Sequence, residues 1–201
     1  MVIVDYGMAN LRSVQKAFEA VGSAAVITSD ATRVAAAAKV VLPGVGAFAD
    51  AVAKLRDGGL AAAITDHLAA GRPFLGICLG LQMLFTRGHE DGLHAGLDVY
   101  AGEVVRFPRQ PGLKVPHMGW NTLRLTRPKC PLFAGLPPDP AFYFVHSYYA
   151  APLDGTLVAA EADYPTPFCA ATWRDNAFTT QFHPEKSQGL GLAMLKNFAR
   201  L

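Results

Sequence analysis

The stretch that most constrains the fold is a glycine-flanked cysteine in residues 73–84, PFLGICLGLQML. Residues 74–77 predict a short buried strand, and the apolar residues after Cys78 predict a helix that follows without a loop. Gly76 and Gly80 flank Cys78 in the spacing G-x-C-x-G, the cysteine form of a nucleophile elbow. A side chain at either glycine would crowd the tight turn. The pattern predicts a reactive thiolate at the start of a helix, although a buried structural cysteine in such a turn is an alternative.

A second motif, residues 179–186 (TTQFHPEK), supplies a partner for this cysteine. Pro184 holds the segment extended and biases His183 away from helical angles. Residues two apart in an extended segment point the same way, so Glu185 can orient the imidazole while its other nitrogen faces a thiol. Cys78, His183 and Glu185 are therefore predicted to act as nucleophile, base and orienting carboxylate.

Strand-like and helical segments alternate through the first 84 residues. Strands are predicted at 2–6, 24–28, 39–42 and 74–77, with helices at 11–21, from Asp30 or Thr32, at 46–55 and at 60–70. This alternation predicts an α/β fold, a flavodoxin-like, mostly parallel open sheet with helices on both faces. The second half is richer in strands and more antiparallel. Its predicted strands are 99–107, 119–125, 141–145, 157–161, 168–173 and 178–182, before a closing helix at 189–200.

Composition narrows the class of protein. The 201 residues fit one domain, 1–201, and the 51% hydrophobic content excludes disorder. No apolar run approaches the ~18 residues of a membrane span, and a net charge of +2 is too small to indicate nucleic acid or anionic lipid as partner. Three cysteines without C-x-x-C spacing indicate neither a disulfide framework nor a zinc site. The chain opens on a strand without a signal peptide, so we expect a soluble, cytoplasmic protein.

GICLGLQ (76–82) and QFHPEKS (181–187) together resemble the class I, triad-type glutamine amidotransferases. DYGMANLRS (5–13), PGVGAF (43–48) and PHMGWN (116–121) resemble more narrowly the glutaminase subunits of imidazole glycerol phosphate synthases, and the likeness covers essentially the whole chain. The resemblance implies hydrolysis of glutamine to glutamate and ammonia without cofactor or metal. It also implies a heterodimer with a (β/α)8-barrel cyclase subunit, which uses the ammonia to make imidazole glycerol phosphate and an aminoimidazole carboxamide ribotide in histidine biosynthesis.

Further roles follow for the residues around the cysteine. The elbow predicts that the N–H of Leu79, the residue after the nucleophile, donates to the oxyanion of the reaction. The resemblance implies that Gly44 or Val45 of the PGVG stretch supplies the other donor; the sequence leaves open which amide. It also implies that Gln82 contacts the glutamine substrate, and that binding of the acceptor nucleotide activates the glutaminase by reorienting the PGVG peptide.

The resemblance places the HMGWN stretch at the cyclase interface, near the mouth of an ammonia path. Met118, Trp120 and Asn121 are the predicted contacts, together with Tyr143 and Lys186. A strand edge that packs inward is the alternative for the apolar residues among them.

Two other sites are expected to have no catalytic role. His89 and Glu90 are predicted to lie in a solvated loop, with contact to the amino-acid end of the substrate as the alternative, and His146 is predicted to be structural. Three other functions remain open: an amidotransferase subunit of another pathway, such as anthranilate or carbamoyl phosphate synthesis; a stand-alone cysteine γ-glutamyl hydrolase; and a non-enzymatic interaction module on the same scaffold.

Overall fold

The computed structural model describes residues 1–201 and contains six α-helices and fourteen strands. The helices are α1 (Leu11–Ala20), α2 (Ala31–Ala36), α3 (Phe48–Asp57), α4 (Leu60–Ala69), α5 (Leu79–Gln82) and α6 (Gln188–Arg200). The strands are β1 (Val2–Val4), β2 (Val26–Thr28), β3 (Val40–Gly44), β4 (Phe74–Cys78), β5 (Phe85–Gly88), β6 (His94–Ala95), β7 (Tyr100–Arg106), β8 (His117–Thr122), β9 (Arg124–Leu125), β10 (Ala141–His146), β11 (Tyr148–Pro152), β12 (Val158–Asp163), β13 (Pro167–Arg174) and β14 (Ala177–Thr180). None of the helices has both the length and the apolar character needed to cross a membrane.

An eight-stranded sheet in the order β2-β1-β3-β4-β14-β13-β12-β9 forms the centre of the fold. The strands from β2 to β14 are parallel, and β13, β12 and β9 continue the sheet antiparallel. The order β2-β1-β3-β4 is that of flavodoxin-like sheets. The predicted α/β fold, parallel first and antiparallel in the second half, is confirmed. Two smaller sheets, β10-β8 and β11-β7-β5-β6, flank it.

Successive residues of a strand point to opposite faces of the sheet, and in the parallel strands β3 and β4 both sets are apolar. Helices therefore cover the parallel part of the sheet on both faces. Val41 lies in one buried cluster with Phe18 of α1 and Phe198 of α6, while Leu42 lies in another with Ile64 of α4. Every residue of β3 and β4 is buried. The carboxyl ends of these strands are thus held by packing on both sides.

The helix that follows Cys78 is much shorter than expected. It was predicted to carry Leu81, Met83 and Leu84, but α5 is a single turn that ends at Gln82, and strand β5 begins at Phe85. The carbonyls of Met83 and Leu84 accept hydrogen bonds from the backbone of residues 97 and 99, each at 2.8 Å. These tertiary hydrogen bonds occupy carbonyls that a longer helix would use for its own hydrogen bonds. They therefore override the local helix propensity of residues 83–84. Strands β5, β6 and β11 were likewise not predicted.

Candidate active site

The predicted catalytic residues meet at the carboxyl edge of the parallel sheet. Gly44 at the end of β3 pairs in register with Cys78 at the end of β4, and Thr180 of β14 lies beside Ile77. His183 follows β14 by three residues. A cavity of about 350 Å³ opens at this edge and is lined by Cys78 and His183 among others. The carboxyl ends of the strands are where open α/β sheets bind ligands.

Cys78 lies on a strained turn, as the elbow predicts. Its backbone has φ 55° and ψ −107°, which is rare for a residue with a side chain. A Cβ at Gly80 would collide with the carbonyl oxygen of Leu42, and one at Gly76 would lie 2.7 Å from the Gly80 oxygen. The two glycines thus allow the backbone of α5 to lie directly against β3 and β4. The turn presents Cys78, 7% exposed, at the cavity wall.

His183 and Glu185 form a buried hydrogen-bonded pair. His183 Nδ1 lies 2.8 Å from Glu185 Oε1, and their side chains are only 3% and 2% exposed. The chain is extended at His183 but enters a 3-10 turn over Pro184–Lys186, so the extended segment is shorter than expected. Two hydrogen bonds hold the backbone of His183 in place. Its N–H donates to the Tyr143 carbonyl, and Ser187 Oγ donates to the His183 carbonyl.

The charge of this pair follows from its neighbours. Burial alone would lower the pKa of His183, but the negative charge of Cys78 and the Glu185 carboxylate outweigh burial and raise the pKa to about 10. His183 Nε2 is buried without a hydrogen-bond partner. At neutral pH His183 is therefore protonated, and its Nε2–H is free to give its proton to a leaving group.

The backbone N–H groups predicted to bind the oxyanion differ in whether they are free to donate into the cavity. Leu79 lines the cavity beside Cys78. The N–H of Val45 donates instead to the Met8 carbonyl at 3.1 Å. Gly44 is buried, with the Tyr6 hydroxyl and Leu79 so close that no Cβ would fit. The Val45 amide can serve an oxyanion only after the Gly44–Val45 peptide rotates away from Met8.

Gln82, which the resemblance implies to contact the substrate, lines the cavity and is held by a second glutamine. Its Nε2 donates to the Tyr148 carbonyl at 2.9 Å and to Gln181 Oε1 at 3.0 Å. Gln181 is fully buried, and its own Nε2 donates to Cys78 Sγ at 3.6 Å. Sequence reasoning missed Gln181, although it lies two residues before His183, where an extended chain places side chains on the same side.

Glu90 lies in a loop, as expected, but it is half-buried and lines the same cavity. Its Oε2 accepts a hydrogen bond at 2.7 Å from the N–H of Phe48, the first residue of α3. A carboxylate is favoured at a helix N-terminus, and this contact turns the residue inward. The neighbouring His89 is exposed and pairs with Glu103 at 2.9 Å.

His146 also lines the cavity, and His117 lies behind it at 3.1 Å between His117 Nδ1 and His146 Nε2. Burial lowers the pKa of His117 to about 4 and that of His146 to about 3. Both rings are therefore neutral at physiological pH, and neither competes with His183 as an acid.

The residues predicted to meet a partner fall into two groups. Met118 is 62% exposed and Trp120 50% exposed, which excludes inward packing for both. Tyr143 of β10 pairs with Trp120 of β8, and their rings lie 6.2 Å apart. Lys186 is exposed at the cavity. Asn121 instead turns inward and donates to the Asp163 carbonyl at 3.0 Å.

Comparisons with known proteins agree with this geometry. The family model described as Glutamine amidotransferase class-I matches residues 2–201. A protein of Syntrophotalea carbinolica named imidazole glycerol phosphate synthase subunit HisH is 58% identical over 98% of this chain and 98% of its own length. A protein of the same name from Geobacter sulfurreducens is 53% identical over 100% of this chain and 98% of its own length.

Solved structures share the fold at low sequence identity. A crystal structure described as a glutamine amidotransferase superposes with a TM-score of 0.74 at 18% identity, over 100% of this chain and 99% of its own. The structure of PurLQS from Thermotoga maritima superposes with a TM-score of 0.73 at 17% identity, over 99% of this chain and 94% of the matched chain.

Proposed function

The chain belongs to the class-I glutamine amidotransferase family, and within that family we propose that it is the glutaminase subunit of imidazole glycerol phosphate synthase in histidine biosynthesis. The observation that carries the proposal is the meeting of the Cys78 elbow and the buried His183–Glu185 pair at one cavity. Its relatives of the same length are named as subunits of that synthase, and this supports the choice of pathway.

The proposed reaction is hydrolysis of the side-chain amide of glutamine in two steps. The Cys78 thiolate attacks the amide carbon, and the N–H groups of Leu79 and Val45 bind the oxyanion. The His183 imidazolium gives its Nε2 proton to the leaving nitrogen, the C–N bond breaks, and ammonia and a glutamyl thioester result. Neutral His183 then takes a proton from water, whose oxygen attacks the thioester and releases glutamate. The thiolate and the imidazolium are restored.

The cavity supports a free amino acid as the substrate. Its volume of about 350 Å³ is at the small end of ligand pockets. Gln82 Oε1 takes no part in the two bonds that hold the side chain, and one oxygen of Glu90 is held by the Phe48 N–H. We expect the remaining oxygens of these two residues to accept from the α-ammonium group of glutamine.

A partner enters the proposal because ammonia is protonated in bulk water and needs a shielded route to its acceptor. We propose that a (β/α)8-barrel cyclase docks on the exposed apolar face formed by Met118, Trp120 and Tyr143. Exposed apolar patches of this kind mark protein–protein contacts, and Pro116, which precedes β8, lines the cavity. The three cysteines are free, which is typical of a cytoplasmic protein.

The bond between the Val45 N–H and the Met8 carbonyl supports control by the partner. While this bond is intact the oxyanion has one donor fewer, and loss of one such donor costs about 10²–10³ in rate. We propose that the complex with acceptor nucleotide favours the rotated peptide. A stand-alone γ-glutamyl hydrolase would instead keep this donor permanently available.

Genetic complementation tests the pathway. Expression in a bacterial strain that lacks its own glutaminase subunit should restore growth without histidine, and Cys78→Ala should not restore it in the absence of high ammonium. Restoration of a strain that lacks the anthranilate glutaminase, but not of the histidine strain, would overturn the proposal in favour of another amidotransferase.

A further inference from the structure

Gln181 is a buried polar side chain that the reaction does not use, and it touches the nucleophile. It is completely buried, and its backbone N–H donates to the Ala170 carbonyl of β13 at 2.8 Å. Its amide can rotate little, because Nε2 faces Cys78 Sγ at 3.6 Å while Oε1 faces Gln82 Nε2 at 3.0 Å. The side chain thus bridges the nucleophile and a residue of the substrate cavity.

The direction of each hydrogen bond follows from the Tyr148 carbonyl, which can only accept. It receives Gln82 Nε2 at 2.9 Å and His146 Nδ1 at 2.8 Å. Gln82 therefore presents its NH₂ group to this carbonyl and to Gln181 Oε1, and both amide hydrogens are used. Gln82 Oε1 is left without a hydrogen bond to the protein, in a residue that lines the cavity. Because Gln181 accepts with its oxygen, it must donate its N–H to the sulfur.

The tautomers of the two buried histidines behind Tyr148 also follow from this carbonyl. His146 carries its proton on Nδ1, so its Nε2 accepts from His117 Nδ1 at 3.1 Å. His117 Nε2 then accepts from Asn121 Nδ2 at 3.3 Å. Each hydrogen bond from Asn121 to the Tyr148 carbonyl then has one donor and one acceptor. A protonated ring would break this order, which agrees with burial of both rings in the neutral form.

We propose that Gln181 is a positioning residue with two effects: its N–H stabilises the thiolate of Cys78, and its carbonyl fixes the amide of Gln82 so that Oε1 faces the substrate. The His117–His146 pair supports Gln82 from the other side through the Tyr148 carbonyl. The inference deepens the proposed function, on which its catalytic readouts rest.

Other charged or titratable groups also act on Cys78. His183 lines the same cavity as Cys78, and burial together with the nearby charge of Cys78 raises the pKa of the Tyr6 phenol. Glu90 and Lys186 line the same cavity. A test of Gln181 must therefore leave these four groups in place and change only the amide.

The test replaces Gln181 by methionine, which keeps the length of the side chain but has no N–H to donate. Iodoacetamide is the probe, and peptide mass spectrometry locates the alkylated cysteine among the three. A hydrogen bond from a neutral amide to a thiolate favours the reactive form. We expect alkylation of Cys78 at pH 7 to slow roughly tenfold, with the pH profile displaced to higher pH. In the complex with cyclase and acceptor nucleotide, kcat should fall roughly tenfold and KM for glutamine should rise several-fold, because Gln82 is no longer oriented.

Thr179→Val is the matched control. Thr179 lies on the same strand, is fully buried and shares a hydrogen bond of 2.5 Å with Thr172, away from Cys78. Its loss should lower thermal stability while the alkylation profile and KM stay unchanged. If Gln181→Met fails to fold, Gln181→Glu tests the same bond with the original shape, and its negative charge should displace the profile further to higher pH.

The outcomes separate this inference from the proposed function. Folded Gln181 variants that alkylate with the wild-type pH profile would overturn the positioning role, whatever the wild type does with glutamine. A wild type that alkylates at Cys78 but releases no glutamate in the complex would instead refute the proposed function.

Discussion

Glu185→Gln isolates the contribution of one negative charge to the site. The substitution keeps the shape of a side chain that is 2% exposed and leaves an oxygen that can still accept from His183 Nδ1. It removes the charge that helps to raise the pKa of His183. We therefore expect the structure to persist while the imidazolium and the thiolate beside it become less populated.

The magnitude follows from the bond that is weakened. A hydrogen bond to a charged group contributes about 1.5–3 kcal/mol, and each 1.36 kcal/mol is a factor of ten in rate. We expect kcat for glutamine in the cyclase complex to fall by roughly 10- to 150-fold. The pKa of His183, raised to about 10 in the wild type, should fall toward its ordinary value near 6.5.

Steady-state release of glutamate and the pH dependence of Cys78 alkylation measure the two effects. Glu103→Gln is the matched control, because Glu103 accepts from His89 at a comparable 2.9 Å but lies outside the cavity. A Glu185→Gln enzyme within twofold of the wild type in kcat, with an unchanged alkylation profile, would refute the role of this charge.

Three further predictions concern stability, the elbow and the partner. Lowering the pH from 6.5 to 4.5 should reduce the free energy of unfolding by about 4 kcal/mol, since the unfolded chain binds protons that buried His117 (pKa about 4) and His146 (pKa about 3) do not. Denaturant titration at each pH measures this, and a flat profile over that window would contradict it. Gly80→Ala should destabilise the protein by more than ~3 kcal/mol and abolish glutaminase activity, because its methyl group meets the Leu42 carbonyl. Gly189→Ala, where a Cβ meets open space, is the control, and equal melting temperatures for the two variants would disprove the steric account. Trp120→Ala should weaken cyclase binding by about 2 kcal/mol, roughly 30-fold, without changing the melting temperature. Isothermal titration calorimetry with the cyclase measures this affinity. Leu153→Ala, at an 81% exposed leucine outside the β8–β10 sheet, is the control and should bind with the wild-type affinity. Equal affinities of the two variants would count against the docking face.

The parallel sheet and the elbow were predictable because their causes are local. The alternation of strands and helices predicts a parallel sheet, and Gly76 and Gly80 around Cys78 are needed by any chain that turns so sharply from strand to helix. The pairing of His183 with Glu185 was also predicted, but from an extended segment, whereas a 3-10 turn over Pro184–Lys186 brings the two side chains together.

The remaining features depend on contacts between distant segments. The helix after Cys78 stops because residues 97 and 99 capture the carbonyls of Met83 and Leu84, which local sequence does not show. Glu90 enters the cavity because the N-terminus of α3 attracts its carboxylate. The bond from the Val45 N–H to Met8 likewise joins two loops that are adjacent only in the folded sheet.

We propose that this site hydrolyses glutamine and does so under the control of a partner. The most direct measurement is release of glutamate by the purified chain in three conditions: alone, with a barrel cyclase, and with the cyclase and its acceptor nucleotide. Cys78→Ala is the blank. We expect slow turnover by the chain alone and an increase of about 10²-fold or more in the third condition, when the Val45 amide leaves Met8. Equally fast turnover in all three conditions, or none in the third, would contradict the account.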